Sequence, residues 1–214
     1  MVGKVKKVFL DFDGVIVDSN EFKESAIENS IIKLFGKNTQ TLRAINFFNV
    51  NAGISRQIKL SAFFTEDNVS KILKLYGEEC HEFFSKANPA EGLREFLQTI
   101  RFQKKNVKLY VLSGGDKEEI NYFLKKNLLS DFFEEILASE KNKLEHLKEK
   151  EVSRNDIFIG DSNNDLKTAL KIDLKFILFS KYKSSKSFPS QKSIKGNVLL
   201  ETEDFKSLIN EIKL

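Results

Sequence analysis

The feature that most constrains this chain is an alternation. Short apolar runs recur along it, and the stretches between them space their apolar residues three or four apart. Strands are expected at 5–10, 107–112, 135–138, 156–160, 174–179 and 198–200, and helices at 91–100, 117–126, 143–150, 164–170 and 204–212. Apolar strands joined through helices form a parallel sheet covered by helices, an α/β fold. In such open sheets ligands bind beyond the carboxyl ends of the strands. The polar residues that end the apolar runs are therefore expected to meet: Asp11 and Asp13 after the first, Ser113 with Gly114 and Gly115 after the second, and Asp161 after IFIG.

Between residues 20 and 88 the alternation gives way to helix after helix, with periodic segments at 22–35, 57–64 and 69–84. This reads as a helical cap (20–88) inserted into a core made of 1–19 and 89–214, its hinges flanking the aspartate pair. A lid at that point closes over a substrate and excludes water. The 214 residues leave room for a catalytic domain and such an appendage.

Composition narrows the function classes. A net charge of +4, from 35 basic and 31 acidic residues spread along the chain, argues against a dedicated nucleic-acid binder. No run of about 18 apolar residues exists to span a membrane. MVGKVKKVFLDF reaches an aspartate too early for a signal peptide. One cysteine, Cys80, excludes an internal disulfide and is expected to be a small helix residue in a reducing, cytoplasmic compartment. His81 and His146 suggest no metal cluster. The lysine- and serine-rich stretch 181–195, KYKSSKSFPSQKSIK, reads as a solvated loop. Oligomeric state is left open.

Two carboxylates one residue apart at a strand end repel each other, and the remedies are a shared proton or a bound cation. Oxygen-rich sites favour a hard ion such as Mg2+. DFDGVIVDS, VLSGG, a lysine in SEKNKLEHL and GDSNND resemble, in order, the four motifs of the haloacid dehalogenase superfamily. The match spans most of the chain, and the helical insertion resembles that superfamily's first type of cap, on a Rossmann-like core. Within that superfamily the chain resembles phosphoglycolate phosphatases and β-phosphoglucomutases.

Each motif also has a chemical reading. Asp11, with a reference pKa of about 3.9, is ionised at neutral pH and is suited to accept a phosphoryl group covalently. Asp13 is the candidate general acid and base, and by resemblance its backbone carbonyl touches the metal. Ser113 and the N–H groups of the glycines beside it suit a phosphoryl oxygen, although Ser113 is also a candidate cap for the next helix. Lys141 and Lys143 both lie where a helix opens; the resemblance favours Lys143, whose charge would offset that of the transferring group. Asp161 is the candidate direct metal ligand, with Asp165 holding waters or Lys143 behind it. An EF-hand is excluded, because Leu166 and Ile172 stand where the calcium loop needs glycine and glutamate.

In the cap, NAGISRQ resembles the loop by which the superfamily's hexose-phosphate mutases grip a distal phosphate, making Arg56 a candidate substrate ligand. Lys23 and Ala52 stand where those mutases have histidine and lysine. The expected function is a Mg2+-dependent phosphomonoesterase for a small phosphorylated metabolite. A hexose-phosphate mutase and a non-catalytic phosphate-binding domain are the alternatives. Dehalogenation is disfavoured by the presence of Asp13, and a receiver domain by the long insertion.

Overall fold

Val8, Phe9 and Leu10 are wholly buried, as a strand covered on both faces requires. In the computed structural model, which describes residues 5–103, 106–184, 186–194 and 196–211, they belong to the central strand of a six-stranded sheet. The strands are β1 (Lys7–Leu10), β2 (Lys108–Leu112), β3 (Glu135–Leu137), β4 (Ile157–Gly160), β5 (Lys175–Phe179) and β6 (Leu200–Thr202). Their order is β3-β2-β1-β4-β5-β6 and every pairing is parallel, as the alternation implied.

Ten α-helices accompany them among the described residues: α1 (Asn20–Phe35), α2 (Thr39–Val50), α3 (Arg56–Ser61), α4 (Glu66–Lys86), α5 (Leu93–Gln103), α6 (Lys117–Lys126), α7 (Lys143–Glu149), α8 (Asn163–Leu170), α9 (Gln191–Ile194) and α10 (Phe205–Glu211). The expected end of the last helix, Ile212, lies outside the described residues.

Side chains alternate between two cores, as the period of a strand dictates. Phe9, Tyr110, Phe158 and Phe176 pack with Leu147 of α7 and Leu166 of α8. Val8, Leu10, Val111 and Ile159 face the other way, toward Phe96 of α5, Phe123 of α6 and Phe205 of α10. Asp156, expected as the first strand residue, instead fastens the start of β1. Its Oδ1 accepts hydrogen bonds from the amides of Lys6 (3.0 Å) and Lys7 (2.9 Å), and its Oδ2 from that of Ser153 (2.9 Å). The edge strand β6 begins two residues later than the apolar run VLL suggested, because Leu200 to Thr202 are the residues in register with Ile177 to Phe179.

The strand order reverses direction between β1 and β4, so the crevice for a ligand opens there. Helices α1 to α4 are inserted between β1 and α5. The chain leaves and returns side by side, with Val17 bridged to Pro89 and the Ala90 amide donating to Ile16 O at 2.8 Å. Phe12, wholly buried between the two aspartates of the first motif, packs on Phe84 of α4 (5.5 Å between ring centroids) and Phe123 of α6 (5.3 Å). Helix α2 was not expected. Asn38 caps it through a capping box, and Thr41, Ala44, Ile45 and Phe48 form its buried face at helical spacing. No helix among the described residues is long and apolar enough to cross a membrane. Cys80 is a free, buried core residue whose thiol burial pushes up to about 11.

Candidate active site

β1 delivers Asp11 to the crevice. The Asp11 amide continues the sheet by donating to Ile159 O at 2.9 Å, and the Phe12 amide donates to Asp11 Oδ1 at 2.7 Å. Lys143 is the first residue of α7, which Asn142 and Glu145 cap reciprocally. Its ammonium donates to Asp11 Oδ2 at 2.7 Å and to Asp165 Oδ1 at 2.6 Å, with only 2% of the lysine exposed. Lys141, by contrast, lies on the surface paired with Glu149. Burial works against the charge on Lys143, and Asp11 and Asp165 outweigh it, so the ammonium is held charged well above its ordinary range.

Asp165 sits in the first turn of α8. Its Oδ2 accepts from the amide (3.1 Å) and hydroxyl (2.6 Å) of Ser162. Gly160 permits this approach, since a Cβ there would lie 2.7 Å from Asp165 Cβ. Asp161 Oδ2 accepts from Asn20 Nδ2 at 2.7 Å, and that amide also donates to Tyr182 O at 2.8 Å. Gly14, at φ 75°, keeps the first turn clear of Asp161 Oδ2, which a Cβ would meet at 2.3 Å.

Asp11, Asp161 and Asp165 each offer an oxygen within 4.8 Å of the others, and all three are buried. Burial, then the neighbouring carboxylates, raises Asp11 well above the usual carboxylate range, and burial with Asp165 pushes Asp161 up to about 8. One ammonium is too little charge for three carboxylates. A set of hard oxygen donors holding a proton that a dication would displace fits a divalent metal.

The Asp13 side chain turns elsewhere. Lys23 of α1 contacts its two oxygens at 2.6 and 2.7 Å, and the Ser19 hydroxyl donates to Oδ1 at 2.6 Å. Burial pushes the Asp13 carboxyl up, but Lys23 and Ser19 together hold it below the usual range. Ser113, at the end of β2, accepts from the Gly115 amide at 2.9 Å. It does not cap α6. Asp116 does that, accepting from the amides of Glu118 and Glu119.

The insertion meets this site through the loop before α3. Gly53, at φ 79°, lies so close that its Cβ would stand 3.5 Å from Lys143 Nζ, and a Cβ on Gly114 would stand 2.5 Å from Gly53 O. Arg56 lies over Tyr76 and forms a two-point ion pair with Glu119 of α6, each N···O distance being 2.8 Å. The insertion and the strand ends together line a cavity of about 80 Å³. It runs from Asp11, Asp13 and Ser113 to Phe48, Asn49 and Lys59.

The sequence reading names Asp11, Asp13, Ser113, Gly114, Lys143, Asp161 and Asp165, and the fold brings all of them to one crevice, with Arg56 at its rim. It misses Ser19, Asn20, Asn49 and Lys59, and treats Lys23 only as a departure from a pattern. Lys23, Asn49 and Lys59 sit inside helices, with Ser19 and Asn20 at the start of α1, and helical periodicity reports which face is buried, not which polar residue on that face points at a site. The stretch 181–195 is not simply a solvated loop. Ser184 and Ser187 are buried against the cavity, Ser187 O accepts from the Asn163 amide at 2.9 Å, and Lys186 pairs with Glu24 at 2.7 Å.

A family model described as haloacid dehalogenase-like hydrolase matches residues 8–179. No curated protein matches the chain. Among solved structures, the chain is similar to a hydrolase from Pseudomonas syringae (TM-score 0.74, 16% identity, 97% of each chain covered). It is similar also to a predicted phosphoglycolate phosphatase from Haemophilus somnus 129pt (0.73, 15%, 98% of this chain and 99% of that one). A third likeness is to CbbY from Rhodobacter sphaeroides in complex with phosphate (0.70, 13%, 95% and 96%). At these identities the likenesses are of fold.

Proposed function

The chain belongs to the haloacid dehalogenase-like hydrolase family, and from that premise we propose that it is a magnesium-dependent phosphomonoesterase releasing phosphate from a small phosphorylated metabolite. The observation that carries this reading is the buried bridge from Lys143 to Asp11 and Asp165, with Asp161 alongside and Ser113 across the crevice. It provides a carboxylate nucleophile, positive charge for the transferring group and a site for a dication in one place. The phosphate bound in the Rhodobacter neighbour and the description of the Haemophilus one agree with phosphoryl chemistry.

In this reading a carboxylate oxygen of Asp11 attacks phosphorus and the ester P–O bond breaks. Asp13 gives a proton to the departing oxygen. It then takes a proton from a water whose oxygen attacks the aspartyl-phosphate, so that phosphate leaves and Asp11 is regenerated. Asp13 rests ionised against Lys23, the form that accepts a proton from water. For the first step it must carry one, taken from water or from the phosphate of the incoming ester, because Asp13 holds the Lys23 ammonium charged above its ordinary range against burial and Lys23 does not give that proton up. The Ser113 hydroxyl and the Gly114 amide hold phosphoryl oxygens, and Lys143 balances their charge. Asp11, Asp161, Asp165 and the Asp13 carbonyl would hold Mg2+, which would supply the remaining positive charge.

Residues 20–88 serve as the cap over a core of 1–19 and 89–214. Arg56 is assigned to holding that cap through Glu119 rather than to a distal phosphate, which favours hydrolysis over the mutase reading. The buried free Cys80 suits a reducing, cytoplasmic setting. The test is phosphate release from a panel of sugar phosphates, phosphoglycolate and nucleotides, with and without Mg2+, for the parent and Asp11→Asn. Metal-dependent release that the variant loses almost completely is expected. Undiminished hydrolysis by Asp11→Asn would overturn the reading.

A further inference from the structure

We propose that Asn49 and Lys59 form a second polar subsite at the insertion end of the cavity, one that binds a negative charge on the leaving group. The substrate class is then a small phosphomonoester whose alcohol portion carries a second anion. This inference rests on the phosphomonoesterase reading and specifies what that enzyme would select.

The first observation is an unmatched cation. Lys59, on α3, is only 6% exposed, yet among the described residues no carboxylate pairs with it. Its ammonium lies 3.6 Å from the centroid of the Phe48 ring and donates one hydrogen bond, to Phe48 O at 3.2 Å. An ammonium has three donors, and leaving the others unused in a buried site is unfavourable. The remaining cations around this cavity are already matched. Lys23 holds Asp13, Lys143 holds Asp11 and Asp165, and Arg56 holds Glu119.

The second observation is independent. Asn49, near the end of α2, is 5% exposed, and both its Oδ1 and its Nδ2 are buried without a hydrogen-bond partner. Such amides are satisfied in nearly all proteins, so one left open beside a cavity points to a ligand. Its N–H groups suit an anionic oxygen, and its carbonyl suits a hydroxyl or the Lys59 ammonium.

Geometry links the two to the chemistry. Asn49 and Lys59 line the same cavity as Asp11 and Ser113, but belong to the insertion rather than to the strand ends. A phosphoryl group seated at Asp11 therefore directs its leaving group toward them. The cavity's 80 Å³ is several times the roughly 10–15 Å³ that one water requires, which leaves room for a short phosphorylated acid or polyol. Burial, then the neighbouring charge of Lys23, pushes Lys59 down to about 7, so an arriving anion would restore its full charge.

The experiment measures phosphate-release kinetics on two matched pairs of esters. One pair is a phosphorylated hydroxy acid and its neutral amide, and the other is a short diol bisphosphate and its monophosphate. The parent is expected to prefer the ester with the second anion by about tenfold or more in kcat/KM, the size a charge-assisted hydrogen bond carries. The pair showing the preference tells whether carboxylate or phosphate is the anion read. In Lys59→Met the preference is expected to collapse through KM. In Asn49→Asp, which offers Lys59 an internal partner, it should collapse as well, so the test does not depend on one variant folding. Equal kcat/KM within both pairs for the parent, or a preference that survives these substitutions, overturns the inference. If the neutral esters are still hydrolysed in an Asp11-dependent way, the phosphomonoesterase reading stands without it. Absence of Asp11-dependent release from every ester removes both.

Discussion

Replacing Lys143 by methionine tests whether the buried bridge exists. The side chain keeps its length and loses its charge, leaving Asp11 and Asp165, with side chains 6% and 0% exposed, without the ammonium that lies 2.7 and 2.6 Å away. Removing one partner of a buried ion pair costs about 3–5 kcal/mol, because the charge left behind is neither solvated nor matched. The variant relieves part of that by taking up a proton, which becomes harder as pH rises. Each extra proton bound by the folded state costs about 1.4 kcal/mol of stability per pH unit above the unfolded carboxylate pKa of about 4. The loss is therefore expected to be near the full range at pH 7.5 and clearly smaller at pH 5. For a chain of this size, 3–5 kcal/mol corresponds to a melting point lower by roughly 6–20 °C. The chain has no tryptophan, so unfolding in urea is followed by far-ultraviolet circular dichroism, with EDTA present to remove divalent ions. Lys141→Met, which breaks only an exposed pair with Glu149, is the control and should leave the unfolding midpoint essentially unchanged. A cost below about 1 kcal/mol for Lys143→Met at pH 7.5, or a larger cost at pH 5 than at 7.5, would refute the buried bridge.

Two further perturbations probe the metal site and the insertion. Asp161, pushed up to about 8 by burial and Asp165, binds its proton more tightly folded than unfolded. Its contribution to stability is therefore fully present below about pH 4 and is lost as pH rises toward 8. Mg2+ competes with that proton, so the rise in melting temperature on adding Mg2+ is expected to be larger at pH 8.5 than at pH 6; an equal or smaller rise at pH 8.5 would contradict the site. Gly114→Ala places a methyl 2.5 Å from Gly53 O, forcing the insertion loop away from the strand ends. Displacements of about 1 Å at a reacting site cost up to roughly 100-fold, so kcat/KM is expected to fall by at least tenfold while the circular dichroism spectrum is retained. Unchanged kinetics would mean that the close approach of Gly53 is not needed for turnover.

The sheet was legible because burial on both faces leaves an unbroken apolar run, and Val8 to Leu10 or Ile157 to Ile159 admit little else. The acidic residues were legible for the complementary reason: a carboxylate that ends such a run has to emerge at the carboxyl edge of the sheet. Helix α2 was harder to read. Its buried face includes Thr41 and Asn49, so polar residues occupy positions that a periodicity search expects to be apolar. β6 was misplaced by two residues because an edge strand is paired on one side only, and Glu201 and Thr202 extend it without an apolar signal. The roles of Lys23 and Lys59 had no local signature at all. Each is a lysine within an amphipathic helix, and only the packing of α1 and α3 over the strand ends separates them from the exposed lysines elsewhere.

That packing has an electrostatic logic. The strand ends and α8 contribute Asp11, Asp13, Asp161 and Asp165, whereas the insertion contributes Lys23, Arg56 and Lys59 to the same cavity. Its one acid there, Glu24, is matched by Lys186. The insertion is thus held against the sheet by contacts to the groups the proposed chemistry uses. Lys23 fixes Asp13 in its ionised form, and Asn20, by hydrogen bonding to Asp161, partly offsets the burial that raises that carboxyl. Moving the insertion away would release both contacts at once. If the insertion opens, its position and the protonation states of the site are therefore linked, and under the subsite proposal a substrate that matches Lys59 as well as Asp11 would favour the closed form from both ends.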